Sequence, residues 1–246
     1  ANRRIASLGQ KKRLAEAVAI FRGLREEGLR PTVHTYTALL NAYVRNGDLT
    51  GGRELFDSMA SEGIEPNTVT FTTLLKGYCG GEDLQQAGEI LAMMGQKGVE
   101  VNVRTVNTFL RGCVRLGDID RALSAFQTFG IEQGLQLDAP AYEAAVRLLA
   151  NALRVQEAEA LLKQLPEGPA QDLPPNLDPT RNPCPHLLLA EAWALLGRHK
   201  RARRSLARGT ALLEGGPPTV QASQGSLESV DMFLTHRWQE LQRDAK

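Results

Sequence analysis

A small residue returns along this chain at Ala17, Gly52, Ala87, Ala122 and Ala158, at gaps of 35, 35, 35 and 36 residues. A constant period in this range marks an array of short supersecondary units. Each such unit cannot bury its own apolar face and is stabilised by stacking on the next. Other positions keep the same register. Four residues after each small residue stands a large apolar one (Phe21, Phe56, Leu91, Phe126, Leu162), and three further on another (Leu24, Met59, Met94, Phe129, Leu165). Upstream, Tyr36, Phe71, Val106 and Tyr142 share the spacing, and Leu40, Leu75, Leu110 and Val146 follow each by four.

Inside one period the pattern is helical. Thr35–Arg45 is apolar at Tyr36, Leu39, Leu40 and Tyr43, the spacing of an amphipathic helix. Asn46-Gly47-Asp48 breaks it, glycine supplying a left-handed C-cap and aspartate an N-cap for the next helix. Leu49–Ser61 then turns Leu55, Phe56 and Met59 inward, Gly63 ends it, and Pro66 blocks continuation. The unit predicted is a hairpin of two helices of about three turns each, a length marginal in isolation. Thr68–Asn102 repeats it with a Gly80-Gly81-Glu82-Asp83 turn. Val103–Asp138 repeats it with Leu116-Gly117-Asp118 and one extra residue before Gly134. Ala139–Leu165 opens a further unit with Leu153-Arg154-Val155 in place of the Gly-Asp turn, and residues 1–32 fit the template with its start removed.

The last third differs. Pro166–Pro185 holds seven prolines in 20 residues and reads as an extended linker. Helices are expected over Leu187–Leu196 and His199–Leu213, hinged at Gly197, with Trp193, Leu196, Ala202 and Leu206 in contact. Ser226–Asp244 reads as a terminal helix that would cap the stack, with Leu227, Val230, Phe233, Leu234, Trp238 and Leu241 as its stripe. The organisation expected is a repeat array over residues 1–165 (units 1–32, 33–67, 68–102, 103–138 and 139–165), a linker over 166–185, and a hairpin plus capping helix over 186–246.

Several function classes drop out. No stretch approaches the ~20 apolar residues of a membrane-spanning helix. The three cysteines form no CxxC pair, which argues against a disulfide framework or a structural zinc site. Cys79 and Cys113 fall in apolar helical segments and are expected to be buried packing residues in a reducing compartment. His34, His186, His199 and His236 lie in unrelated segments without HExxH spacing, and Gly51-Gly52-Arg53 opens a helix without the lysine and hydroxyl of a phosphate-binding loop. Glu157 and Glu159 have no evident partner. The expectation is a non-catalytic chain with no metal, no cofactor and no small-molecule substrate. It opens on Ala1 rather than Met, as a processed form or a fragment would, so a targeting peptide upstream would not be visible.

The segments HTYTALLNAYVRNGDLTGGRELFDSMASEGIEPN, TVTFTTLLKGYCGGEDLQQAGEILAMMGQKGVEVN and VRTVNTFLRGCVRLGDIDRALSAFQTFGIEQGLQLD resemble pentatricopeptide repeats. The resemblance covers residues 1 to about 165. The tetratricopeptide family, with a period of about 34 residues, is the nearest rival. What the resemblance implies is an all-α, right-handed α-solenoid that binds single-stranded RNA, messenger or ribosomal, in a mitochondrion or chloroplast. It implies that two side chains per repeat read one base, one just after the aromatic of the first helix and one closing the repeat. Those pairs are Thr37 with Asn67, Thr72 with Asn102, Asn107 with Asp138 and, in the shortened first unit, Asn2 with Thr32. By the same resemblance Thr-Asn goes with adenine, Asn-Asp with uracil and Asn2-Thr32 with a pyrimidine, so the implied core target is pyrimidine-A-A-U. His34, Val69 and Arg104, two residues before the aromatic position, would stack between bases. Glu143 stands where the next unit would read, and a carboxylate there repels RNA. The alternative for Asn67, Asn102 and Asp138 is plain helix capping.

Charge gives a second signal, since a net +1 leaves nucleic acid open and the distribution has to decide. Arg198, Lys200, Arg201, Arg203, Arg204 and Arg208 fall within 11 residues with no acidic residue among them. They read either as a solvated helix face or as a phosphate-binding surface. Three functions therefore stay in view: a free organellar RNA-binding protein, a subunit of an organellar ribosome or other ribonucleoprotein that clamps RNA and protein, and a protein–protein scaffold.

Overall fold

The computed structural model describes residues 1–164 and 184–213, all of whose regular structure is helical. The expected terminal helix over Ser226–Asp244, most of the linker and the proline-glycine stop at 215–218 lie outside those residues. The chain divides into two compact units, one over Ala1–Leu116 and one from Gly117 onward.

The first unit contains α1 (Asn2–Gln10), α2 (Leu14–Glu26), α3 (Val33–Asn46), α4 (Leu49–Ser61), α5 (Thr68–Gly80), α6 (Leu84–Gln96) and α7 (Val103–Leu116). Consecutive helices pair as hairpins, and the first helices of successive hairpins pack side by side, α1 on α3, α3 on α5 and α5 on α7. The repeated apolar columns explain why. Tyr36, Leu39, Leu40, Phe71, Leu74, Leu75 and Leu110 are fully buried on the first helices, and Met59, Ile90 and Met94 on the second. The ring at the end of one hairpin meets the ring at the start of the next edge-on: Phe21 on Tyr36 and Phe56 on Phe71, with centroids 5.0 Å apart in both.

Each turn closes by the same chemistry. A residue in left-handed conformation ends the first helix at Lys12 (φ 56°), Gly47 (79°) and Glu82 (66°). The following N–H then reaches back to Leu8, Tyr43 and Tyr78 carbonyls at 2.9, 3.2 and 3.0 Å. At the Gly80-Gly81-Glu82-Asp83 turn it is Glu82, not a glycine, that takes the positive φ. Asp48 and Asp83 cap the second helices, accepting from the Gly51 and Gln86 N–H groups at 2.9 Å. Close approach has its own residue requirement. A Cβ on Gly112 would lie 2.9 Å from Cys79 Cβ and Sγ, so α7 packs against α5 only because that position is bare.

The second unit contains α8 (Ile119–Ala125), a π-helical segment (Phe126–Glu132) that continues it, α9 (Ala139–Asn151), α10 (Val155–Lys163), α11 (Cys184–Leu195) and α12 (His199–Leu213). Phe126 meets Tyr142 edge-on at 4.9 Å, the same ring contact as in the first unit. The π-helix is where the extra residue goes. In the first unit Leu29, Ile64 and Val99 N–H groups close onto Leu24, Met59 and Met94 carbonyls at 2.9 Å, five residues back. Here Leu135 closes onto Phe129, six residues back and also at 2.9 Å. The wider turn absorbs the insertion.

Three expectations are corrected in this unit. Cys184 and Pro185 are the first turn of α11, where proline is tolerated, so the linker ends sooner than composition suggests. Trp193, Ala202 and Leu206 are buried, but Leu196 is 42% exposed because it has left the helix at the Gly197 turn. Glu157 and Glu159 do have partners. Glu157 holds Arg154 through two hydrogen bonds of 2.7 Å, and Glu159 accepts from the Trp193 indole N–H at 2.9 Å.

Candidate nucleic-acid interface

The first turns of α3, α5 and α7 sit at equivalent positions of three neighbouring helices in the first unit. Thr37, Thr72 and Asn107 occupy the same place on each, and all are half-buried. Asn67 and Asn102, and Thr32 before them, stand just ahead of those helices, and all three are exposed. His34, Val69 and Arg104 lie between, about one turn earlier than the reading positions, and are also exposed, Val69 by 62%. An exposed valine at a helix start, flanked by polar groups, is apolar surface without a packing role in this chain.

The capping geometry is explicit. Asn67 Oδ1 accepts from the Thr70 N–H and hydroxyl, both at 3.0 Å. Asn102 Oδ1 accepts from the Thr105 N–H and hydroxyl at the same distance. Thr32 forms a capping box with Thr35. A backbone N–H only donates, so the atom facing it in each asparagine is the oxygen and the NH2 group points the other way, into solvent. Capping therefore consumes one end of these side chains and leaves the donor end exposed.

Hydroxyl contacts tie the helices together along this row. Thr37 Oγ1 lies 2.9 Å from Thr70 Oγ1, bridging α3 to α5, and Thr72 Oγ1 lies 3.0 Å from Thr105 Oγ1, bridging α5 to α7. Thr70 and Thr105 are fully buried. The sequence pattern does not single out either as a site residue, although Thr35, Thr70 and Thr105 recur at the 35-residue period three places after the closing residue of each repeat.

The remaining candidates sit elsewhere. Asn2 is the exposed first residue of α1. Asp138 belongs to the second unit, where it is only 7% exposed and caps α9, accepting from the Ala141 N–H at 3.2 Å. Glu143 is held by Arg147 at 2.5 Å, which offsets its charge. Along α12 and the turn before it, Arg198, Lys200, Arg201, Arg203, Arg204 and Arg208 stay at the surface while Ala202, Ser205, Leu206 and Gly209 face inward. The helix thus presents a basic surface of the second unit, with the Arg201 guanidinium 4.6 Å from the Trp193 ring centre. Half-buried His186 is held neutral, its pKa lowered to about 4 by desolvation and by the nearby Arg208 charge. Burial pushes the Cys79 thiol up to about 11, so it behaves as a packing group. Among the described residues no cluster of three or more His, Cys, Asp or Glu side chains could hold a metal ion.

Hairpins of two short helices, repeated at 35 residues with matching caps and a shared polar row, define a helical-repeat protein of the α-solenoid class. Family models agree on which one. The PPR repeat family matches residues 32–80 and 69–115, the pentatricopeptide repeat domain residues 6–46, and the PPR repeat residues 104–128. The chain belongs to the pentatricopeptide repeat family. No curated protein sequence matches it. Among solved structures it is similar to the PPR domain of Arabidopsis thaliana protein-only RNase P 1, crystallised in complex with tRNA, at 21% identity and TM-score 0.57 over 66% of this chain and 86% of that one. It is similar to the pentatricopeptide repeat protein PPR10 from maize at 16% identity and TM-score 0.55, over 89% of this chain and 34% of that one. It is also similar to nuclear proteinaceous RNase P 2 from A. thaliana at 18% identity and TM-score 0.57, over 70% of this chain and 39% of that one. It thus spans well under half of the last two chains. At these identities the likeness is one of fold.

Proposed function

We propose that this chain is a non-catalytic, single-stranded RNA-binding protein of an organelle, whose first unit reads bases along the row Thr37, Thr72 and Asn107. The observation that carries this reading is the spacing of exposed carboxamide donors and half-buried hydroxyls, one set in each of two successive repeats, with Val69 and Arg104 beside them. Short polar pairs on successive helical repeats are the arrangement by which one repeat takes one base. Family membership and the tRNA complex of a similar domain support the RNA assignment. The base preference, pyrimidine-A-A-U, rests on the family resemblance. Its two adenine positions fall to Thr37 with Asn67 and Thr72 with Asn102, both wholly within the first unit. Stacking contributes at most ~1–3 kcal/mol per base before ordering costs, so a four-base site gives modest affinity.

Fluorescence anisotropy with short labelled RNAs tests the reading. A UAAU core should bind more tightly than its scrambled versions, and Asn107→Thr should weaken binding and relax the final base. Equal affinity for all sequences, unmoved by Thr37→Ala, would refute base reading.

A second reading keeps the RNA and changes the setting: the chain is a subunit of an organellar ribosome or similar ribonucleoprotein. The exposed basic face of α12 favours it, because a surface of that charge attracts phosphate without regard to sequence. Co-sedimentation with ribosomes that survives Thr37→Ala and Asn107→Thr supports the second reading over the first.

A further inference from the structure

The two reading side chains of a repeat are not independent. Thr37 Oγ1 lies 2.8 Å from the Val33 carbonyl and 2.9 Å from Thr70 Oγ1, which in turn lies 3.0 Å from Asn67 Oδ1. The next repeat copies the arrangement: Thr72 Oγ1 is 2.7 Å from the Thr68 carbonyl and 3.0 Å from Thr105 Oγ1, itself 3.0 Å from Asn102 Oδ1. Each hydroxyl has one proton and can accept as well as donate. Two protons therefore serve three short contacts in each set, and the direction of one bond fixes the choices left to the next.

We infer that Thr70 and Thr105 are positioning residues that join each reading pair, Thr37 with Asn67 and Thr72 with Asn102, into one hydrogen-bonded unit. This rests on the base-reading function proposed above. Without RNA, either threonine, fully buried, holds its asparagine oxygen from two sides, through N–H and O–H, which directs the exposed NH2 group. The same hydroxyl sets what the half-buried threonine offers. When Thr37 donates to a base, its oxygen is left as an acceptor and the Thr70 proton turns to it. When Thr37 accepts from a base, its own proton turns inward to Val33 or Thr70, and the Thr70 proton stays on Asn67. The pair thus meets a base edge as a donor amide beside a hydroxyl whose polarity is coupled to it. At the equivalent place after Asp138 stands Ala141, which has no hydroxyl to play this part.

The test uses the full chain and RNAs in which one adenine of a UAAU core is replaced by guanine. Wild type should prefer adenine at both places. T70V keeps the shape and the backbone N–H but removes the hydroxyl. It should lower the preference at the first adenine by about fivefold, the worth of one neutral hydrogen bond, and leave the second adenine within about twofold of wild type. T105V should do the reverse, and T70S, which keeps the hydroxyl, should restore the preference. If T37A abolishes the preference while T70V keeps it in full, the coupling is overturned and base reading stands. If T70S loses as much as T70V, shape rather than the hydroxyl is responsible and the inference falls. If wild type has no preference at either adenine, base reading fails and the coupling fails with it. A measurement on RNA-free wild type guards against misfolded variants. The Asn67 and Asn102 carboxamides should show 15N relaxation as ordered as the adjoining backbone, and free rotation of either would overturn the inference.

Discussion

The tightness of the helix row makes one substitution change sign with position. In a helix interior, alanine in place of glycine is favoured by ~0.8–1.0 kcal/mol from propensity alone. Gly88, in α6, has nothing within 4 Å of the point where a Cβ would stand, so Gly88→Ala should gain about that amount. Gly112, in α7, is different: its added Cβ would meet Cys79 Cβ and Sγ at 2.9 Å and Leu84 Cδ2 at 3.1 Å. Cys79 Cβ is fixed to the backbone of α5 and cannot rotate away, so relief needs a helix to move. Overpacking of this kind costs ~1–3 kcal/mol. Set against the propensity gain, Gly112→Ala should be destabilised by up to ~2 kcal/mol, and Gly88→Ala should end ~1–3 kcal/mol the more stable of the two. Urea unfolding followed by circular dichroism at the helical band measures this, comparing midpoints at equal slope so that the stabilities are comparable. Equal midpoints for the two variants, or a Gly112→Ala protein more stable than wild type, would show that α5 and α7 do not approach as closely as described.

Other expectations follow from caps, charge and titration. Lys12 and Glu82 hold the left-handed turn position that Gly47 fills in another repeat; Glu82→Gly and Lys12→Gly should each stabilise by ~1 kcal/mol, the strain an L-residue carries there, read as a rise in urea midpoint. His186 stays neutral in the folded chain down to about pH 4, whereas the unfolded chain takes up its proton near the ordinary histidine value. Stability of the second unit should therefore fall as pH drops from about 6.5 toward about 4 and level off below, and His186→Gln should remove that slope from a pH series of urea midpoints. If α12 binds phosphate, Lys200→Gln with Arg204→Gln should reduce the slope of log affinity against log salt by ~0.7 for each phosphate no longer neutralised, at unchanged base preference.

The hairpins were legible because the 35-residue columns coincide with the helix period, and because Gly47 and Asp48 announce a C-cap and an N-cap in adjacent letters. Arg13 and Arg154 occupy the equivalent cap positions without an aspartate, each paired to a glutamate three residues on, a substitution that no capping rule flags. The extra residue before Gly134 could be counted in the sequence but not placed, since a loop or a widened helix absorbs it equally well. The asparagines posed a choice between capping and reading, yet the two ends of a carboxamide face opposite ways, so Asn67 caps with its oxygen while its NH2 group stays exposed. Thr70 and Thr105 are not legible as site residues for a related reason. They are buried, and a buried threonine near a helix start reads as packing until its hydroxyl partners on the neighbouring helix are known.

The swelling of the backbone at Phe126–Glu132 carries a lesson for anyone assigning positions in this protein by arithmetic. Because the surplus residue is swallowed before Leu135, Asp138 still precedes its helix as Asn67 and Asn102 precede theirs, although a fixed stride of 35 from Asn102 lands on Leu137. Correspondences beyond that point should be measured from where each helix begins. A chimera spliced by residue count alone would be one residue out of phase, with every inward side chain after the join turned by about 100°.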